Sequence, residues 1–368
     1  MSEYVLYRKF NSLREDTIEG VVVPLGYRPS LMYQNVFKAN PNNRNGNPVS
    51  QRLGIIDGKV GGGAYIFPTL LNCDGKIVNA GSGSDLRVED WAKKGGLGFE
   101  LCDFDPSGKD GDHVIFEGGG LSQISVKVHR FMGFKVFEYP RYIMLLKSRA
   151  LIEQRFSGWV GKVLCGVLDF AIAQYSLIVK LLYRISNKGA VVEIVASDDA
   201  AKIDEVSRFT RDVSRFSEVH DGAWFRWVLN CSYSSERKIG LYLIKQNDMP
   251  IGFFMFKKRF HQQASHRGFK NVNLGSIIEW GCVKDKEKIL LWNIVNWVAK
   301  QRKELDAVEF PVYESFVQRF LKRLGWRQVG NANFCYNIRP DSGFVEPEGM
   351  NQASNWRLRP GMGDCALN

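Results

Sequence analysis

The sequence predicts a mixed α/β protein made of two tandem copies of one fold, each a mixed, mostly antiparallel sheet flanked by helices. Three observations carry this. At 368 residues the chain is long enough for two domains that each bury a core. A composition of 45% hydrophobic, 12% aromatic and 24% charged residues is that of an ordered globular chain and excludes disorder, collagen and coiled coil. Several local patterns also recur in one order at a separation of 191 or 192 residues.

Taken along the chain, the first recurrence is helical: Leu31 to Phe37 and Ala223 to Leu229 share one offset. A turn into an apolar strand follows, Ile56-Asp57-Gly58-Lys59-Val60-Gly61 in the first copy and Asn247-Asp248-Met249-Pro250-Ile251-Gly252 in the second. Both read as β hairpins. Gly83-Ser84-Asp85-Leu86-Arg87-Val88 opens a long strand and is matched with Gly275-Ser276-Ile277-Ile278-Glu279-Trp280. Val114 to Glu117 compares with Ala307 to Phe310, placing Glu117 and Glu309 at the same offset. Finally, helices from Ser125 and from Val317 each stop at a glycine before an aromatic, Gly133-Phe134 and Gly325-Trp326. Each copy therefore reads strand, helices, hairpin, long strand, helix, strand, helix, strand, and the predicted boundaries are 1–149 and 191–339.

Residues 150–190 join the copies. Gly158 to Arg184 is strongly apolar but interrupted by Lys162, Asp169 and Lys180. No uncharged run reaches the roughly 18 residues of a membrane span. A buried or interdomain helix is expected, the alternative being a helix in a membrane interface with Lys162, Lys180 and Arg184 toward phosphate headgroups. Residues 340–368, rich in Gly and Pro, read as a tail of little periodicity.

Fifty Lys and Arg against 39 Asp and Glu give +11, so an anionic partner is favoured over a cationic one. The basic residues are spread along the chain without a nucleic-acid-binding module, and no specific nucleic-acid partner is expected. Seven cysteines with no C-x-x-C pair read as reduced thiols, not a disulfide frame or zinc site. His261 and His266 are five apart, the wrong spacing for two ligands on one helical face, and read as a solvated loop. No metal is expected. The first residues, MSEYVLYRKFNSLRED, lack the apolar stretch of a signal peptide, so a cytoplasmic location is expected.

The copies differ after the long strand. The first has Lys93-Lys94-Gly95-Gly96-Leu97-Gly98, where small residues let backbone N–H groups approach an anion at the start of a helix. The second has Asp285-Lys286-Glu287-Lys288-Ile289-Leu290, with no glycine and two carboxylates. One anion site per chain follows, in the first copy. Leu86-x-Val88 with this glycine run resembles the acyl-CoA-binding motif of the GNAT N-acyltransferase superfamily. Ser122-x-x-Ser125-x-x-x-His129-x-x-x-Gly133-Phe134 resembles the helix that closes that fold, with Ser122, Ser125 and His129 departing from the usual Asn, Ala and Tyr. Tandem arrangements occur in the superfamily, among them Fem-type aminoacyltransferases, mycothiol synthase and N-myristoyltransferase. Asn355 to Asp364 also resembles the ending of bacterial proteins of this tandem type.

The resemblance implies an acyl-CoA co-substrate, most simply acetyl-CoA, whose pantetheine arm pairs with Leu86, Arg87 and Val88 between two splayed strands. Its pyrophosphate would lie on Lys93, Lys94, Gly95, Gly96, Leu97 and Gly98, with Ser122 nearby. Glu117 would serve as general base, with Asp85 or Glu89 as alternates, and His129 would protonate the departing sulfur. The implied reaction is direct acyl transfer to a primary amine, small or on an amino sugar. A Fem-like or mycothiol-synthase-like transferase with a larger acceptor, or an inactive CoA-binding protein, stands as the alternative. The series Trp224, Phe225, Trp227 is expected in the core or lining an acceptor cleft, and Tyr33 and Asn35 are read the same way.

Overall fold

The computed structural model describes residues 3–43, 48–103, 111–152, 156, 158–187, 189–211, 214–231, 238–261 and 271–362. In chain order the first part runs β1 (Glu3–Lys9), β2 (Thr17–Ile18), β3 (Val21–Val22), α1 (Leu31–Ala39), β4 (Val49–Ile56), β5 (Lys59–Cys73), β6 (Lys76–Val88), α2 (Leu97–Glu100), β7 (Ile115–Gly119), α3 (Gln123–Phe131) and β8 (Lys135–Leu145). Then come α4 (Arg149–Ile152), α5 (Gly158–Ser186), β9 (Ala190–Val195), α6 (Ala200–Ser207), β10 (Phe216–Glu218) and α7 (Gly222–Asn230). The last part is β11 (Lys238–Gln246), β12 (Met249–His261), β13 (Val272–Cys282), α8 (Glu287–Lys300), β14 (Ala307–Pro311), α9 (Ser315–Arg323) and β15 (Arg327–Ile338). The predicted element order is present twice. Gly133 and Gly325 sit just past α3 and α9 with φ of 84° and 74°, a conformation that ends a helix without side-chain strain.

The compact units do not follow the sequential boundaries. Unit 1 comprises Met1–Glu138, Asp212–Trp227 and Asn333–Asn368; unit 2 comprises Tyr139–Arg211 and Val228–Ala332. Each copy's final strand ends in the other unit. In unit 1, β7 pairs antiparallel with the end of β15, Glu117 opposite Tyr336. In unit 2, β14 pairs antiparallel with the end of β8, Glu309 opposite Ile143. The exchange follows from connectivity: a strand leaving a helix pairs with whichever edge lies open beside it.

Within unit 1, β1, β4, β5 and β6 form an antiparallel run, and β10 adds to β5 with Glu218 opposite Leu71. Within unit 2, β9, β11, β12 and β13 do the same. The larger cluster of the unit 2 core joins Ile277, Trp280, Phe310, Val312 and Trp326 with residues of α8, and a smaller one holds Ile143, Leu274 and Ala307. Ten of the fourteen residues of α8 are buried.

The tail is irregular in backbone, as its composition predicts, yet anchored: Trp356 is buried, its indole Nε1 donates to the Met350 carbonyl at 2.6 Å, and its ring lies 5.2 Å from Tyr336 and 5.9 Å from Phe137. One sequence expectation is corrected here: the helix α5 is not buried. Of its residues only Gly161, Ser176 and Val179 are enclosed. Periodicity cannot separate an apolar helix face that meets protein from one that does not.

Candidate functional site

The long strand β6 and the short strand β7 run parallel over only three pairs, Ala80 with Ile115, Gly81 with Phe116 and Ser82 with Glu117, before they part. Unit 2 repeats this with Leu274 and Ala307, Gly275 and Val308, Ser276 and Glu309. Both units thus hold a fork of splayed strands with a serine and a glutamate at its apex. The matched dipeptide is Gly81-Ser82, not the Gly83-Ser84 that the sequence offset selected. Repetition within Ala80-Gly81-Ser82-Gly83-Ser84 allows either alignment, and only strand pairing distinguishes them.

The forks differ in what fills them. Past the apex in unit 2, Ile277 to Gly281 are all buried, and Trp280 lies edge-on to Phe310. Glu309 accepts from Ser276 Oγ at 2.6 Å and Arg259 Nη2 at 2.8 Å, with Arg141 at 4.0 Å. In unit 1, Asp85, Leu86 and Arg87 are exposed, and their strand has no partner on the β7 side among the described residues. A bulge at this point shifts the β5–β6 register between Gly63 and Tyr65, and Asp85 adopts φ 50°. Arg87 pairs with Glu89 at 2.9 Å and lies over the Tyr27 ring, while Tyr27 donates to Glu89 at 2.8 Å. Burial and this carboxylate push the Tyr27 hydroxyl well above its ordinary range.

By register, Thr69 stands where unit 2 has Arg259, since each lies opposite the residue two before the fork serine. Phe334, opposite Gly119, stands where Arg141 lies opposite Pro311. By register, neither arginine that holds Glu309 is repeated at the matching strand positions of unit 1. Direct cross-strand partners point to one face of a sheet, so Tyr336, Glu117, Ser82 and Phe67 form one row.

That face carries a second acidic group, absent from the sequence reading. Glu218 and His220 are buried, their side chains 3.1 Å apart, and Thr69 Oγ1 donates to Glu218 at 2.7 Å. The His220 ring stacks on Trp224 at 3.7 Å. Asn40, Thr69, Ser82, Glu218 and Trp224 are among the residues lining a small polar pocket with room for about one water molecule. Ser82 Oγ and Trp224 Nε1 are buried without a hydrogen-bond partner among the described residues. Both can bind a small polar group there. The aromatic series is core: Trp224, Phe225 and Trp227 are buried, and Trp227 donates to the Val36 carbonyl. Asn35 is exposed; the side chain of Tyr33 lies outside the described residues.

Nearby Cys73 offers no thiolate, because burial and Glu117 push its thiol up to about 12. His129 is buried on α3, its Nδ1 2.7 Å from the Ser125 carbonyl. A carbonyl only accepts, so Nδ1 carries the proton and Nε2 is the acceptor of the neutral ring. Burial holds its pKa below the ordinary value. The ring packs on Phe134, which meets Phe116, whose side chain points away from the Glu117 face. His129 and Glu117 therefore flank the strand from opposite faces.

The glycine loop is set by packing. A Cβ at Gly54 would lie 2.2 Å from Leu97 Cδ1, so this hairpin glycine makes room for the loop's apolar anchor. Gly96 takes φ 86° and caps α2. Arg52, buried, donates to the carbonyls of Leu101 and Asp103 just beyond. The helix itself is a correction: α2 has four residues, too short for the dipole expected at a full helix start. Lys93 is ion-paired with Asp90 on the surface, and the side chain of Lys94 lies outside the described residues. Gly95 and Gly98 remain accessible to solvent. Ser122 is the N-cap of α3, its Oγ accepting from the Ser125 N–H at 3.1 Å. His261 ends β12 rather than lying in a loop, and His266 falls outside the described residues.

No protein family matches the sequence, and no curated protein does. Solved structures do. A GCN5-related N-acetyltransferase from Anabaena variabilis aligns over 84% of this chain and 66% of its own, about two thirds of its length, at 12% identity and TM-score 0.51. A probable N-acyltransferase from Enterococcus faecalis aligns over 92% of this chain and 73% of its own, at 9% identity and TM-score 0.54. N-myristoyltransferase from Saccharomyces cerevisiae, with bound myristoyl-CoA, aligns over 92% and 79%, at 14% identity and TM-score 0.58. The chain has the GNAT fold, a mixed α/β architecture with a mostly antiparallel sheet flanked by helices.

Proposed function

We propose that this chain is an acyl-CoA-dependent N-acyltransferase working through the fork of unit 1. The observation that carries the reading is the stretch Asp85 to Arg87 of β6, exposed and with no strand partner on the β7 side among the described residues, where the matching stretch of unit 2 is buried. Such an edge accepts an extended amide-bearing chain as an added strand would. A pantetheine arm supplies that chemistry, and the fold's neighbours with bound myristoyl-CoA support it.

In this reading the backbone of Leu86, Arg87 and Val88 holds the arm. The amide of Val88 or a neighbour donates to the thioester oxygen as charge develops. The Gly95 to Gly98 turn, with Lys93, receives the pyrophosphate. A neutral amine attacks the thioester carbon, the C–S bond breaks, the ammonium proton passes to Glu117 directly or through water, and CoA leaves as thiolate to be protonated from solvent. Asp85 and Glu89 lie at the exposed end of the fork, farther along the strand from the apex. His129, neutral with Nε2 as acceptor, is not a ready proton donor to sulfur. Acetyl is the acyl group of first choice and a small amine or amino sugar the acceptor.

Isothermal titration with acetyl-CoA tests the reading. Binding is expected, weakened about tenfold or more by Gly96→Glu, which sets a carboxylate in a left-handed position beside the phosphates. Absence of heat at millimolar CoA, or titration unaffected by the substitution, would overturn it.

A further inference from the structure

We infer that α5 is a membrane-docking helix, which lays its exposed face on an anionic bilayer surface with the helix axis in the plane of the membrane. Its 29 residues extend about 43 Å at 1.5 Å per residue. Successive residues turn by about 100°, which places Trp159, Val167, Phe170, Leu177, Leu181 and Ile185 on one stripe along the full length. These six are 56% to 76% exposed. Gln174 is the one polar side chain within the stripe. A continuous apolar surface of this length is far from the scattered exposure ordinary for a soluble face.

Charge selects the occupant. Lys162, Lys180 and Arg184 fall together along one flank of the stripe and are exposed. The only acid in the helix, Asp169, is turned toward the protein, its Oδ1 accepting from the Ser148 N–H at 2.7 Å. Every exposed charge on the helix is therefore positive, on a chain of net charge +11. A second copy would bring like charge to this face, whereas acidic headgroups complement it while the apolar stripe enters the acyl boundary.

The opposite face fixes the orientation. Arg302 donates to the Asp169 carbonyl at 2.8 Å, Tyr175 to the Leu324 carbonyl at 2.6 Å, and Tyr183 to Asn293 at 3.0 Å. These ties to unit 2 are spread along the helix. A helix crossing a hydrocarbon layer of about 30 Å would have to break them. By length and composition α5 is apolar enough to cross; its polar anchoring keeps it flat.

The test is flotation of the purified full-length protein with vesicles of phosphatidylcholine alone and of phosphatidylcholine with phosphatidylglycerol at 7:3. Binding to the anionic vesicles is expected at least about tenfold tighter than to the neutral ones and weaker with added salt. The double substitution Lys162→Glu/Lys180→Glu should remove that preference. Phe170→Glu/Leu177→Glu should abolish binding to both, with the thermal melt unchanged because both side chains are exposed. Equal binding to the two vesicle types, or binding insensitive to these substitutions, would overturn the inference. So would self-association abolished by Phe170→Glu/Leu177→Glu, which assigns the stripe to a second copy, or retention on vesicles through alkaline carbonate, which assigns a span.

Discussion

The two forks share a three-pair parallel seam and a Ser–Glu apex, yet past the apex one is packed shut and the other holds an exposed stretch with no strand partner on the β7 side among the described residues. In unit 2 the glutamate is bound by Ser276 and Arg259, and the following strand is lined with core residues. In unit 1 Thr69 and Phe334 replace the two arginines, and Asp85 to Arg87 face solvent. A motif repeated in both copies thus meets two surroundings, and under the proposed function it would brace the core in unit 2 and serve the chemistry in unit 1. The neighbours of a carboxylate, more than its presence, decide whether it braces a core or faces chemistry.

Substitution at the paired glutamates breaks or sharpens this contrast. Glu309→Gln removes the charge from a largely buried ion-pair cluster, and urea unfolding should register a loss of about 3–5 kcal/mol, with acyl transfer by the folded fraction intact. Glu117→Gln should act on the rate: thiol release from acetyl-CoA slows about 100-fold, about 2.7 kcal/mol, at saturating amine. No kinetic difference between the two variants would erase the distinction.

The smallest expected effect lies at α3 and α9. His129 corresponds at the same offset to Leu321, which is fully buried. Burial lowers the folded-state pKa of His129, so between the two pKa values the unfolded chain binds the extra proton. Its stabilising contribution is complete above the unfolded value, near 6.5, and declines as pH falls through it. Denaturant midpoints measured from pH 7.5 to 5 should show that decline in the native sequence and a flatter profile in His129→Leu.

Much of the fold was legible because its punctuation is local. Gly133 and Gly325 need left-handed backbone, and hairpins announce themselves through Asp-Gly and Asn-Asp turns. Glu117 was legible because it recurs. Glu218 and His220 were not, since β10 joins unit 1 by pairing with β5, a contact across some 145 residues of sequence. Their spacing, two apart at the end of a three-residue strand, was the available signal. The length of α2 was hidden because an anion-loop sequence says nothing about how long its helix continues. In the tail, Gly and Pro mark the irregular backbone, while its anchoring by Trp356 is a packing contact that composition does not show.

The exchanged final strands have a consequence for the order of synthesis. Residues up to Glu138 can leave the ribosome and collapse, but β7 lacks its antiparallel neighbour until the end of β15 has been made, and Trp356 follows later still. The unit bearing the open fork is therefore the first to be translated and the last to be completed. A nascent or prematurely terminated chain would carry the glycine loop, but Glu117 without the strand that pairs with it, which couples the maturation of that site to translation of β15.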